Sequence, residues 1–462
     1  MRAQDHFDMP ARFAARQMRR SAAPDADPNP WTGPLSGAAL LLVTFFSNGN
    51  FNDAIIPGSD TSNLQQYVVI ALWIMIAAVS YFRRTVLRVD PAAGLVVGLS
   101  SYALAIVSVA WSAVPAASLP KAIAMAIVIF SAWRLVKTMV LDEIIAWLIH
   151  GLFLLAALSI FLALFVPGVG LVKDYQHAGQ WNGVFSSKQT LGVCGALLMF
   201  FAAYRLIGPA RSLYHWAAAA AALACVLGSG SRGGGALAAV AVACLYMANA
   251  SRGFSRILAF FPFVMCLIGG ALIAYLAVTA NKFILVFDSE IDFTQRAIIW
   301  QHAIGYFKSA PILGYGLNGF WTLKEVKDLF IERNGWFLDN YHDGYIAIAV
   351  ETGVLGLCTF TLGYLLYALR ISGDIRRNGA LDRGVALTLV YTCLLFFIDL
   401  TETYFLRSTN IASTLLTISL FIGFARAGPL GAADQGQPEG AAEGQRRGVR
   451  PVRTRAPRFR PS

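Results

Sequence analysis

Twelve blocks of apolar residues run through this chain, and they constrain its fold more than any other feature. They lie near 35–47, 65–82, 92–110, 121–136, 144–166, 190–207, 213–228, 234–249, 257–278, 344–369, 384–400 and 408–425. A run of about 20 apolar residues is long enough to cross the hydrocarbon of a membrane as a helix. Inside lipid, a helix satisfies its backbone N–H and C=O groups within one segment. The first block and several others fall short of that length. Of the 462 residues, 57% are hydrophobic and only 14% charged, and the mean hydropathy is +0.58. A soluble protein carries roughly 25% charged residues, so this chain cannot cover a soluble surface. A soluble globular enzyme, a fibrous protein and a wholly disordered chain are excluded. The expected class is all-α: a polytopic membrane protein with about twelve transmembrane helices and a large, partly helical external loop.

Lysine and arginine set the expected orientation. With the N-terminus in the cytoplasm, 26 of the 37 Lys and Arg residues fall in inside segments or tails. Six of the remaining 11 lie in one long loop. The organisation read from this pattern has five parts. Residues 1–34 form a polar, disordered cytoplasmic tail, and 35–278 hold spans one to nine. Residues 279–343 form a large periplasmic loop, and 344–425 hold the last three spans. Residues 426–462 form a second disordered cytoplasmic tail, rich in Arg, Gly and Pro. No secretory signal pattern precedes the first block. The net charge of +11 is explained by topology and by contact with anionic lipid. No basic patch interleaved with aromatic residues points to nucleic acid. The six cysteines all lie in apolar blocks and read as small buried hydrophobes.

Polar residues are scarce in the blocks; His150, Glu351 and Asp399 are the main exceptions, all near block ends. The polar chemistry gathers in three external segments, 167–189, 228–235 and 279–343. Arg232, in GSGSRGGG, stands between two apolar blocks with Gly and Ser around it, a setting suited to a phosphate; the plainer alternative is an interfacial anchor. Arg296 follows an Asp292–Gln295 capping pattern. A helix from there to about Ala310 would set Ile299, Ala303 and Phe307 on one face, against the bilayer surface, and put Arg296 where the helix start favours an anion. A surface arginine on that helix is an equal alternative. His342, in DNYHDGY, is a candidate base, with Asp339 and Asp343 beside it to orient the ring; a lone histidine is more often structural. GYGLNG at 314–319 spells a dinucleotide pattern but lacks strand–turn–helix context, so its glycines are read as turns. Asp288 and Glu290 are read as a solvated acidic turn, not a metal site.

Five pieces in order carry a family resemblance: WSAVPAASLPKA at 111–122, GQWNGVFSSKQTLG at 179–192, GSRGG at 230–234, RAIIWQHAIGYFKSAPILGYGLNGF at 296–320 and NYHDGYIAIAVETGVLGL at 340–357. Together they resemble the O-antigen ligase and polysaccharide polymerase family of bacterial envelope proteins, over roughly 95–425. The resemblance implies an inverting glycosyltransferase that needs no metal and no cofactor, at the periplasmic face of the bacterial inner membrane. Its donor would be a glycan on undecaprenyl diphosphate, its acceptor another glycan or a lipid, and its partners other polysaccharide assembly proteins. The family's arginines fall on Arg232 and Arg296, for the diphosphate, and its histidine on His342, as catalytic base. Lys188, Trp181 and Glu351 are further candidates for substrate binding. The 181–188 piece looks like the exopolysaccharide-polymerising branch, except that Ser187 and Gln189 replace His and Asn. At 343 the family's usual Asn is Asp.

Three rivals remain open at this point: a lipid-linked oligosaccharide flippase, a cell-division-type peptidoglycan glycosyltransferase, and a scaffold acting through its tails. The orientation is directly testable. Reporter fusions at Arg376 and Asn334 should give opposite signals, and equal signals would overturn the topology.

Overall fold

A computed structural model of the chain describes residues 31–56, 64–89, 92–173, 175, 177–279, 284–286, 289–291, 296–335, 338 and 340–427. Among them, fourteen helices of more than ten residues can be followed. The apolar ones are α1 (Thr32–Phe46), α2 (Leu64–Tyr81), α3 (Ala93–Val107), α4 (Pro115–Thr138), α5 (Leu141–Phe165), α6 (Lys188–Ile207), α7 (Leu213–Ser229), α8 (Arg232–Ala250) and α9 (Arg252–Val278), followed later by α12 (Gly344–Asn378), α13 (Arg383–Ile398) and α14 (Ile411–Gly423). Two more, α10 (Arg296–Phe307) and α11 (Lys324–Asn334), lie in the long loop. Each of the twelve apolar blocks corresponds to one helix. Eight are long and apolar enough to cross a membrane, while α1, α7, α13 and α14 are shorter. Four three-residue strands form two antiparallel pairs, β1 (Leu87–Val89) with β4 (Ala425–Ala427) and β2 (Ile284–Val286) with β3 (Ser289–Ile291). The class remains all-α. The tail expectations for residues 1–30 and 428–462 lie outside the described residues. So do Asp288, Asp339 and the Asp292–Gln295 capping pattern.

The connections sort onto two ends, as an alternating bundle requires. At one end Arg83 meets Glu143 at 3.6 Å and Arg205 meets Asp142 at 3.3 Å. There too Arg383 donates to the Tyr204 carbonyl at 2.9 Å, and β1 pairs β4. At the other end Ile411 N–H donates to the Ser47 carbonyl, Ser186 N–H to Asn50, Trp181 N–H to Gly228 and Gly344 N–H to Asp399. This second end is called the outer end below. Lipid supplies no hydrophobic force between helices, so close contact rests on small residues. A Cβ on Gly363 of α12 would come within 2.5 Å of Gly98 Cα on α3, and one on Gly234 of α8 would press on the Gly192 backbone of α6.

The tenth apolar block is not one continuous helix. Gly353 (φ 70°, ψ −173°) breaks α12 into a short outer piece and a long inner piece. The loop after Pro311 closes the break. Tyr315 and Gly316 N–H groups donate to the Val350 and Glu351 carbonyls, both at 2.9 Å, and Val354 and Leu355 N–H groups donate to Pro311 and Ile312 at 2.8 and 3.3 Å. The glycines of GYGLNG therefore do form turns, but turns with a job: Gly314 (φ 66°) and Gly316 (φ 86°) take left-handed backbone so the loop can enter the break. The WSAVP segment braces the loop from behind. Trp111 Nε1 donates to Leu313 at 3.0 Å, Ala113 N–H to Tyr315 at 3.0 Å, and Leu317 N–H to Ser108 Oγ at 2.8 Å.

Helix α10 corrects an expectation. Ile299, Ala303 and Phe307 do share a face, but all three are buried in the protein core, not laid on the bilayer surface. Trp300 and Trp321 are buried as well, so this part of the loop is a folded cap; Trp336 lies outside the described residues. The glycine at the break is the sharpest structural requirement. A Cβ on Gly353 would sit 2.0 Å from the Ile312 carbonyl oxygen, in a backbone region essentially reserved for glycine. Gly353→Ala should cost at least 1–3 kcal/mol, roughly the strain of such a conformation, and should lower the thermal midpoint of the detergent-purified protein. An unchanged midpoint would contradict the break.

Candidate functional site

The site is assembled on the connection 399–410 between α13 and α14. Asp399 shapes it: its Oδ1 accepts from the N–H groups of Tyr404 and Phe405 at 2.8 and 3.1 Å. Its carbonyl accepts from Gly344, and Thr403 Oγ1 accepts from Asp343 N–H at 3.2 Å. The connection is thereby wound against the start of α12. Leu406 (φ 58°) and His342 (φ 50°) both hold left-handed backbone that side chains other than glycine rarely adopt. Such strain persists only where the surroundings over-determine it. Here Trp300 Nε1 donates to the Tyr341 carbonyl at 3.1 Å, and Tyr341 itself is fully buried, stacked on Phe320.

Within this frame Glu402 joins two of the expected site residues. Its Oε1 lies 3.1 Å from Arg296 Nη2, and its Oε2 lies 3.5 Å from His342 Nδ1. The second distance is longer than an ordinary hydrogen bond, and the contact is an ion pair only while the ring is protonated. Nδ1 is buried and faces Glu402, while the side chain as a whole is 32% exposed. That leaves Nε2 on the open side. Arg296 is the first residue of α10. Nearby, Glu351 is only 2% exposed and takes Arg407 in a two-point fork, both contacts at 3.0 Å. Such a geometry offsets the cost of burying charge.

Lys188, Trp181 and Arg232 form a neighbouring group. Lys188 starts α6, is buried, and donates to Gln180 Oε1 at 2.5 Å. Trp181 packs flat against Gly228, and Gln180 lies over Gly230. Ser231 caps α8 by accepting from Gly234 N–H. Arg232, the first residue of α8, is exposed, with no ion pair or hydrogen bond to its guanidinium among the described residues. An apolar crevice is walled by Val193 of α6, Leu237 of α8, Ile398 and Tyr404. Val193 and Leu237 each lie five residues along their helices from Lys188 and Arg232, about 7–8 Å at 1.5 Å per residue. Tyr404 lies two residues from Glu402. Lys188, Arg232 and Glu402 thus each lie a few residues along the chain from one wall residue of the slot.

One expectation about His342 changes. Asp343 does not orient the ring: its Oδ1 accepts from Ile346 N–H at 2.8 Å and caps α12. The carboxylate facing the ring is Glu402. Neither Glu402 nor Arg407 stood out in the sequence, because the short segment 401–407 between two apolar blocks is overshadowed by the long polar loop 279–343. The signal was available: a lone Glu and a lone Arg in TETYFLRST are the same kind of outlier as Arg232.

Burial pushes the Asp343 carboxyl up to about 8, against the opposing backbone N–H groups of Ile346 and Tyr345. A carboxyl raised above its ordinary value near 3.9 lends the folded state stability that is complete below that value and lost as pH rises through about 8. Thermal stability should therefore fall between about pH 4 and pH 8, and Asp343→Asn should flatten that component. A wild-type and a variant with parallel pH profiles would contradict this.

Comparison with known proteins adds two findings. Residues 217–361 match the O-antigen ligase family, a stretch holding Arg232, Arg296, His342 and Glu351 but neither Lys188 nor Glu402. Over 254 residues the chain is 29% identical to the exopolysaccharide production protein ExoQ of Rhizobium meliloti, covering 51% of this chain and 56% of that protein. The alignment thus spans little more than half of the relative's length. One similarity through the motif-bearing middle of the chain, and one to a protein of exopolysaccharide production, together support the O-antigen ligase and polysaccharide polymerase family for this membrane protein.

Proposed function

We propose that the chain is a membrane glycosyltransferase that moves a glycan from undecaprenyl diphosphate to an acceptor hydroxyl at the periplasmic face of the inner membrane, polymerising exopolysaccharide or O-antigen-like repeat units. The observation that carries this reading is Glu402 bridging Arg296 and His342, on the connection whose Tyr404 walls an apolar slot. A polyprenyl tail stays in the bilayer, so the reacting diphosphate must be met at the membrane surface, and the slot suits the tail. Glu402 holds the Nδ1 side of His342, and Nε2 takes the proton of the acceptor hydroxyl. The hydroxyl oxygen attacks the anomeric carbon as the bond to the diphosphate breaks. The electron pair leaves with the diphosphate, and the configuration inverts. Arg296 and Arg232 meet the departing charge, each by charge-assisted bonds of about 1.5–3 kcal/mol, and no metal is required. Lys188, Trp181 and Glu351 act in holding the substrate, Glu351 by fixing Arg407.

A second reading, transfer to a lipid A-core acceptor, uses the same donor and groups. Similarity to an exopolysaccharide production protein favours polymerisation. The experiment is incubation of the purified protein with lipid-linked repeat units alone. Chain growth is expected; transfer only on addition of a separate lipid acceptor would indicate a ligase, and no transfer with either would overturn the proposal. His342→Ala should lose about 10²–10⁴ in rate while still inserting and binding the donor. Arg232→Ala and Arg296→Ala should each lose about 10²–10³, with poor rescue by Lys because the fork is gone. Near-normal transfer by His342→Ala would remove it as the base.

A further inference from the structure

A second crevice opens at the outer end between α1, α2 and the far end of the 399–410 connection. Its polar wall is Ser47, Asn50, Gln65, Gln66, Thr409 and Asn410, with no charged side chain in the lining. Several of these groups are held in place. Gln65 Nε2 donates to the carbonyls of Phe46 and Gly49 at 2.6 and 2.8 Å, which fixes the amide and leaves Oε1 without a partner among the described residues. Ser47 Oγ is likewise buried and unpartnered. Gln66 Oε1 accepts from Lys121 Nζ, which orients its amide. Buried polar atoms without partners are rare in native proteins and call for an explanation. Preset amides and hydroxyls, offering donors and acceptors but no charge, suit a neutral polyhydroxylated ring. They do not suit a phosphate, which needs cations, or a lipid tail, which needs an apolar wall.

The placement is specific as well. Thr409 is two residues from Arg407, at most about 7 Å of chain, and Ile411 N–H ties the start of α14 to Ser47. The same connection carries Glu402 with Arg296 and His342 at its other end. In a direct displacement the acceptor enters opposite the leaving group. The acceptor hydroxyl must reach His342, and the connection that carries Glu402 runs on from there to Thr409 and Asn410 in the crevice wall.

We propose that this crevice is a subsite for a neutral glycosyl residue of the acceptor chain; the assignment rests on the glycosyltransferase reading. The test uses the full-length protein in lipid nanodiscs, with lipid-linked repeat units as donor and a soluble neutral oligosaccharide of the same repeat as acceptor. The variant is Asn50→Leu with Thr409→Val, two side chains that make no hydrogen bond among the described residues. Acceptor KM should rise tenfold or more, with kcat at saturating acceptor and donor KM unchanged. An unchanged acceptor KM, or a rise in donor KM instead, would overturn the assignment. A wild-type protein with no transfer at all would count against the glycosyltransferase reading. The subsite is then read separately, by saturation-transfer NMR of the oligosaccharide bound to protein carrying His342→Ala. Signals lost on adding the two substitutions support it, and equal or absent signals overturn it.

Discussion

A break in a helix at membrane depth exposes carbonyls and N–H groups where no water can receive them, and each one left unsatisfied costs several kcal/mol. The four hydrogen bonds between residues 311–316 and the two sides of Gly353 meet that demand. The rest of the outer face is arranged around them. Because the loop must enter the break, Gly314 and Gly316 need left-handed backbone, and the WSAVP segment must stand behind the loop to hold it. Because the short outer piece of α12 ends there, Glu351 lies at its end, buried and ready for Arg407, while His342 immediately precedes its start. The broken helix and its splice place the candidate chemistry.

Much of the fold was legible because its signals are local. Length and apolarity mark a helix in lipid without knowledge of any neighbour, and all twelve blocks became helices. What escaped needed knowledge of partners. Gly353 sits in an apolar run that reads as continuous helix; only the approach of Ile312 makes glycine obligatory. The face of α10 was identified correctly, but whether Ile299, Ala303 and Phe307 meet lipid or protein depends on where α9 and α12 lie. Arg232, Arg296 and His342 could be picked out as polar outliers. Their mutual arrangement could not, because the residue that joins Arg296 to His342 lies more than a hundred positions after the first and sixty after the second.

The electrostatics of the outer end follow a consistent pattern. Glu351 is almost fully buried and commits both oxygens to Arg407, so that pair is part of the scaffold. Glu402 is half-exposed and divided between an arginine and a histidine. Its interactions are screened by water and individually weak. One carboxylate fixes structure and the other remains available, and burial is what separates their roles.

The Asp343 carboxyl has a consequence for how charge is counted here. Reading Asp where the family usually has Asn suggests an added negative charge beside the site. Burial raises this carboxyl to about 8, so it carries less charge near neutral pH than an ordinary aspartate would. The outer face then sets Glu351 and Glu402 against Arg407 and Arg296, which cancel in pairs. Lys121 and Lys188 are bonded to neutral amides, and Arg232 stands exposed. Lys121, Lys188 and Arg232 are thus without a carboxylate partner among the described residues, positive charge that favours an anion on this face.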